Sequence, residues 1–330
     1  GANGPLAFNG TTTSNRYVNI LRYGTSTDGV VTINAGHTLE LVGGAILAAK
    51  SVYQGNKSIV GVGNITGGAL NDKNSDFIMH NYNDTTPFTI GANIVDRTSL
   101  AANATGTTGK GSLKSGEVQM KINISGLPSD FFITVRPGMR VAGPGIQTGT
   151  LVETVEQNFN RVILTLPADS DQTNQVYTFT DTTNFLQVGI GTTILAGNNT
   201  YTGNTYVHGG VLRLDSANAV PGGIAATGGT SSIIVEDGII GLGHGDFNRP
   251  LGSGISQVQF TGNGGFAAYG ADRTVNLGGA PVPETLRFGN NGFVPDGSSF
   301  ILGSHDATHK LTLVNPIDLS AFSQAIRVEN

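Results

Sequence analysis

The chain has 330 residues, 49 of them glycine and none cysteine or tryptophan, and a formal net charge of −5. The missing cysteine excludes disulfides and thiolate metal sites, and the absence of any Lys/Arg cluster argues against nucleic acid or an anionic membrane surface as partner. Hydrophobic residues at 38% with charged ones at only 12% describe an ordered, corner-rich chain whose solubility rests on Asn, Thr, Ser and Gln.

Residues 1–100 carry short apolar alternations broken by Gly, Asn and Thr. Val18–Tyr23, Val30–Asn34, Leu39–Leu41, Ala45–Ala48, Ser58–Val62, Phe77–His80 and Phe88–Ile90 are predicted strands, with a hinge at Ala35-Gly36-His37. Their irregular spacing of roughly 10–20 residues suits strands on successive faces of a coil. No stretch holds a 3.6-residue apolar period, so almost no helix is expected. No apolar run approaches the ~18 residues of a membrane helix, and no membrane insertion is expected. Gly1-Ala2-Asn3-Gly4-Pro5 has neither the charge nor the apolar core of a signal peptide, and there is no initiating Met. A mature or excised portion of a longer protein is the expectation.

Between about 101 and 182 the texture changes. Residues 101–109, rich in Ala, Gly and Thr, read as a flexible joint; beyond it Glu117–Ile124, Arg161–Leu166 and Gln175–Phe179 alternate cleanly as longer strands. Pro and Gly punctuate the stretch Val135–Ile146 at turn positions. One apolar face per strand, joined by hairpin-like turns, predicts a small antiparallel barrel or sandwich. Pro137-Gly138-Met139-Arg140-Val141-Ala142-Gly143-Pro144-Gly145-Ile146 resembles a small β-module that recurs in bacterial surface and phage structural proteins.

From 183 the coil pattern resumes. Phe185–Val188, Thr193–Ala196, Ser232–Gly238, Val258–Gly262, Leu286–Gly289, Phe300–Gly303, Lys310–Leu313 and Ala325–Glu329 are predicted strands. The richest stretch is Gly197-Asn198-Asn199-Thr200-Tyr201-Thr202-Gly203-Asn204-Thr205-Tyr206-Val207-His208-Gly209-Gly210-Val211-Leu212-Arg213-Leu214. It reads as polar turn, strand, glycine turn, strand: the β-branched and apolar residues favour extended backbone, while Asn and Gly tolerate left-handed corners. Two such strands cannot bury a core alone and need the next coil stacked on them. This stretch resembles the autotransporter-associated β-strand repeat of passenger regions in very large bacterial surface proteins. Phrases such as Gly265-Phe266-Ala267-Ala268-Tyr269-Gly270-Ala271-Asp272-Arg273 and Asn315-Pro316-Ile317-Asp318-Leu319 are similar to the same family. The family's lead-in departs here to Gln187-Val188-Gly189-Ile190-Gly191-Thr192-Thr193. The resemblance implies export and display at a bacterial surface, or secretion, and no particular ligand.

Candidate chemistry is sparse. His305 and His309 have the spacing of a helical zinc pair, but residues four apart on a strand lie ~13 Å apart, too far for one ion. Asp169 and Asp171, in the oxygen-rich loop 169–174, are the candidate calcium ligands, with a solvated hairpin as the alternative. His244 and Asp246 lack a nucleophile beside them and read as a corner loop. The carboxylates Asp72, Asp76 and Asp84 in a polar loop, and Glu236-Asp237 abutting Gly238 in a turn, lack the aromatic platform a glycan-cleaving pair would use. Tyr and Phe sit mostly in strand patterns and read as core. Asn9, Asn64, Asn83, Asn103, Asn123 and Asn198 open Asn-x-Ser/Thr triplets, relevant only in a glycosylating host.

The resulting expectation is all-β: a right-handed parallel β-helix at 1–100 and 183–330, interrupted by a small antiparallel β-module at 101–182. The expected function is a non-catalytic structural segment of a large extracellular or cell-surface fibre, adhesin or envelope protein, with no cofactor. Its partners would be further repeats of the same chain, copies of itself, or surface glycans. The alternatives are a glycan-binding or tailspike-like module with 101–182 as its head, and a polysaccharide-degrading β-helix enzyme.

Overall fold

The computed structural model describes residues 6–8, 16–24, 28–50, 55–68, 75–97, 107–127, 131–225, 229–278, 281–319 and 324–329. Most of the expected joint (101–106), together with Asn9, Asp72 and Asn103, lies outside the described residues. Among the described residues the chain is strand and turn, apart from a four-residue helix at Phe131–Thr134 and a 3-10 turn at Gln157–Phe159. By internal contacts it divides into two units, one of residues 1–68, 76–95 and 184–330, the other of residues 69–75 and 96–183.

The first unit contains a 17-stranded sheet whose strand pairs are parallel. Its pairings resolve into three ladders. The first ladder takes, in order, Leu6–Phe8, Gly29–Ile33, Lys57–Val60, Phe88–Ile90, Thr192–Leu195 and Val211–Leu214. It continues through the second halves of Ile233–Leu242 and Val258–Ala268 to Ser299–Gly303 and Ala325–Glu329. A second ladder joins the first halves of Arg16–Tyr23 and Thr38–Ala48 to Asn64–Thr66 and Asn93–Ile94. A third joins the second halves of those two long strands to Ser75–Asn81, Thr183–Val188, Thr205–Val207 and the first halves of Ile233–Leu242 and Val258–Ala268.

Register explains the core. Ile59, Ile90, Leu195, Leu214, Leu242 and Ala268 pair in one unbroken column along the first ladder, and each is at most 1% exposed. Because side chains alternate across a strand, in-register parallel stacking places like beside like and gives one apolar interior. That interior runs as a single cluster from Val31 to Phe300. Toward the C-terminal end it thickens with phenylalanine: Phe260 lies edge-on to Phe266, Phe293 and Phe300 at centroid separations of 6.0–6.1 Å.

The long strands differ from expectation. Leu39–Leu41 and Ala45–Ala48 belong to one strand, Thr38–Ala48, with the bend absorbed at Gly44, whose φ is +71°. Glu236-Asp237 is likewise not a turn but the interior of Ile233–Leu242, where a register shift between Val235 and Asp237 passes the strand from the third ladder to the first.

The second unit is a six-stranded antiparallel sheet in the order Arg140–Ala142, Gln172–Thr180, Thr107–Leu113, Gln119–Asn123, Arg161–Leu164, Val152–Glu156. Its two outer strands also meet. Val141 N donates to Thr150 O (3.0 Å), Val152 N to Met139 O (2.8 Å), and Arg140 bridges Leu151, so the sheet nearly closes on itself. A separate core of Met120, Phe131, Val141, Val162, Tyr177 and Phe179 among others fills it. Arg136 Nη2 lies 2.6 Å from both oxygens of Asp181, and Asp96 Oδ1 accepts from Thr183 N at 2.7 Å, joining the two ends of the 96–183 segment. No helix among the described residues is long and apolar enough to cross a membrane.

Candidate functional site

Residues 185–214 supply adjacent strands to two ladders, and the residues between those strands form a built set of corners. Asn199, 2% exposed, ties layer to layer with one side chain: its Oδ1 accepts from Ile94 N (2.8 Å) and its Nδ2 donates to Ala219 O (2.7 Å). A buried amide needs both ends satisfied, and this corner satisfies them with backbone groups from the neighbouring layers. Beside it Asn93 Oδ1 accepts from Asn198 N (2.9 Å) and Asn198 Oδ1 from Asn218 Nδ2 (2.7 Å). At the next corner Asn204 N donates to Asn184 Oδ1 (2.8 Å), and Asn184 Nδ2 to Asp76 Oδ1 (2.9 Å). Burial raises the Asp76 carboxyl above its ordinary value, opposed by that Asn184 bond.

The glycine corner is set by close approach. A Cβ at Gly191 would sit 2.2 Å from Asn83 O, and one at Gly210, whose φ is +60°, 2.4 Å from Gly191 O. No other residue fits either place without moving the adjacent layer. The Tyr201 hydroxyl lies 2.6 Å from Thr205 Oγ1, itself 2.9 Å from Ser231 Oγ, so a buried hydroxyl chain crosses the next layer. The chemistry of this region is cohesion: amides and hydroxyls join consecutive layers, and each hydroxyl in the chain has its partner among its neighbours.

A second polar cluster lies outside the repeat. Arg249 is fully buried; its guanidinium donates to the carbonyls of Gly223 (Nε, 3.0 Å), Ser231 and Pro221 (3.3 Å). Desolvation lowers it to about 10. It ties the backbone at Pro221, Gly223 and Ser231 together at one buried point.

Asp169 Oδ1 accepts from Ser170 Oγ (2.9 Å) and Asp171 Oδ1 from Ser115 N (2.8 Å), so both carboxylates bind within their own unit's loops. His305 sits in a turn and His309 in a bridge to Ala268; the residue between them, Asp306, is the one engaged with the fold. His244 and Asp246 occupy a corner, where Asp246 Oδ1 accepts from Thr274 N (2.7 Å). Asp84 pairs with Lys50 at 3.1 Å on the surface, apart from the Asn184-bound Asp76. Glu236 contacts His208 Nδ1, and Asp237 Oδ1 accepts from Asn263 Nδ2 (2.6 Å), each bond spanning neighbouring strands. Asn83 is buried, with Oδ1 accepting from Thr85 N (3.1 Å), and its amide is not presented for modification. Among the described residues no group of three or more His, Cys, Asp or Glu side chains is placed to hold a metal ion. Tyr206 and Tyr82 also depart from the core reading: both stand on the outer surface, each stacked on a histidine two residues away, His208 and His80.

A parallel-laddered repeat unit with amide-stapled corners is therefore the class that the geometry defines. Residues 185–214 match the family model described as the passenger-associated-transport-repeat, and the resemblance to the autotransporter passenger repeat holds on that segment. No curated protein and no solved structure matches the chain.

Proposed function

We propose that this chain is a non-catalytic structural segment of a large protein secreted from, or displayed on, a bacterial surface, and that its first unit is a right-handed parallel β-helix. The observation that carries the reading is the passenger-type repeat at 185–214 supplying neighbouring strands to two in-register parallel ladders. Stacked layers give a stiff spacer because each layer's backbone hydrogen bonds and apolar column are shared with the next. In the strand Ala325–Glu329, Ile326 and Val328 register with Phe300 and Leu302 yet are 41% and 73% exposed, so further coils or another copy of the chain would bury them. The test is labelling of intact source cells and of their medium with an antibody to residues 184–330. Signal on the surface or in the medium is expected; signal confined to the cytoplasm refutes the proposal.

One feature favours a second reading, in which 101–182 is a glycan-binding head without catalysis. Phe159, 68% exposed at the tip of a hairpin, is held against the Arg161 guanidinium at 5.0 Å, while Arg161 also binds Glu156 and Gln119. An immobilised aromatic flanked by planar polar groups suits a sugar ring. A glycan array should then show binding that Phe159→Ala removes; identical blank arrays refute it.

A further inference from the structure

One row of outward-facing residues on the first ladder is dry. Thr192, Val211, Ile239, Gly265 and Ile301 pair in register across consecutive strands and point away from the interior column. Nothing in the ladder itself covers such a row, which lies on the face opposite the shared interior. Instead Thr192, Val211, Ile239 and Ile301 are 2–7% exposed, and the apolar ones form their own cluster with Ala267 and Tyr269.

Part of the chain beyond Gly303 packs on this row. At Gly303 (φ +96°) the backbone leaves the ladder and turns, with Ala307 N donating to Ser304 O (3.0 Å) and Ala307 packing on the cluster. It rejoins the fold where Thr308 N and His309 N both donate to Ala268 O. Between these points the Asp306 carboxylate accepts from Ser304 Oγ (2.8 Å), from the Tyr269 hydroxyl, and from Thr192 Oγ1 (2.7 Å). The Tyr269 ring is itself clamped. It lies 4.8 Å from the Arg213 guanidinium, which grips Asp215 with two bonds of 2.7 Å. On the layer between, only glycine at 241 leaves room, since a Cβ there would stand 2.9 Å from the ring.

Thr192 and Asp306 are 114 residues apart in sequence. Along the ladder, the strand of Thr192 and the strand Ser299–Gly303 are separated by four steps, about 19 Å at ~4.8 Å each. A carboxylate is suited to the junction because it accepts several hydroxyl donors at once, whereas a hydroxyl or amide there would leave a buried donor needing a partner of its own.

We propose that residues 303–309 are a strap that fastens the first-ladder strands from Thr192–Leu195 to Ser299–Gly303 into one opening unit. In a plain stack each layer touches only its neighbours, so layers are lost one at a time from a free end. The strap adds a bond between layers that are not neighbours. Once Ala325–Glu329 has left, the layer of Ser299–Gly303 cannot follow without stripping the dry row and breaking the Thr192–Asp306 junction, which exposes the layers below.

Native-state hydrogen exchange on the full chain, read by mass spectrometry, tests this with two variants. In the unaltered protein, amides of Thr192–Leu195, Val211–Leu214, residues 239–242 and 265–268, and Ser299–Gly303 should share one opening rate and one denaturant dependence. Thr192→Val keeps the shape and removes only the hydroxyl; it should speed exchange in Ser299–Gly303 by about 10-fold or more, as expected for losing a hydrogen bond to a charged group. Asp306→Asn should do the same and spread the five strands into a graded series, fastest at Ser299–Gly303. Five different rates in the unaltered protein would overturn the strap. So would a Thr192→Val effect confined to residues 192–195, or one that lowers protection equally everywhere.

Discussion

Replacing Leu195 by alanine, with Ile194→Ala as its partner, separates an interior from a surface position on a single short strand. Leu195 is fully buried in the column between Ile90 and Leu214, whereas Ile194 faces outward and is half-buried. Truncating Leu195 removes three carbons from contact on all sides, about 2.4 kcal/mol of transfer free energy at ~0.8 kcal/mol per methylene. The in-register layers above and below are tied by their own backbone bonds, so the hole cannot fully collapse, and the total should reach about 3–4 kcal/mol. Ile194→Ala should cost about 1 kcal/mol or less. Urea unfolding at equilibrium, followed by far-ultraviolet circular dichroism, reads both through the shift in midpoint at constant slope. Equal costs, or a larger one at Ile194, would refute the inward column and with it the assigned register.

Gly210→Ala places a methyl 2.4 Å from Gly191 O at a backbone φ of +60° and should lower stability by about 2 kcal/mol or more, read as a fall in melting temperature. Arg249→Met removes the donors that hold the carbonyls of Gly223 and Ser231; a loss of about 3 kcal/mol is expected, with faster proteolysis between residues 221 and 231. Burial alone would raise the Asp306 carboxyl, yet hydrogen bonds from Tyr269, Thr192 and Ser304, and the nearby His305, hold it below the usual carboxylate value. A depressed acid stabilises above its unfolded value and loses that contribution as pH falls through the folded one, so stability should drop on acidification below about pH 4. Asp306→Asn should make that drop shallower, and an unchanged acid limb of the stability profile counts against the carboxylate's role.

Local chemistry made the corners legible. Asn199, Asn204, Gly209 and Gly210 announce tight turns by residue type, and the strands Thr205–Val207 and Val211–Leu214 lie where their β-branched and apolar residues put them. Alternation likewise marked Phe88–Ile90 and Gln119–Asn123. What composition could not reveal is how a strand changes ladder without stopping: Glu236-Asp237-Gly238 has turn residues, but the strand Ile233–Leu242 runs on through them, and the register shift there is taken up by one extra residue in its partner Val258–Ala268. The dry outer row was hidden for a related reason. Val211, Ile239 and Ile301 are ordinary strand residues, and only the long-range pairing of Thr192 with Asp306 shows that their side of the sheet is covered. At 305–309 the histidine spacing is the feature visible in the sequence, whereas the residue bonded into the fold through three hydroxyls is Asp306. Arg249 carried no sequence signal at all, because its partners are backbone carbonyls.

The parallel register of the first ladder can be tested by disulfide trapping, since the native chain has no cysteine to interfere. Thr89 and Ile194 pair directly across neighbouring strands, although 105 residues separate them, whereas Thr89 and Arg213 lie two steps apart. A disulfide requires α-carbons within about 7 Å, and two steps amount to ~9.6 Å. Mild oxidation should cross-link Thr89→Cys with Ile194→Cys rapidly and leave Thr89→Cys with Arg213→Cys reduced. Failure of the first pair, or trapping of the second at the same rate, would contradict the stacked parallel layers.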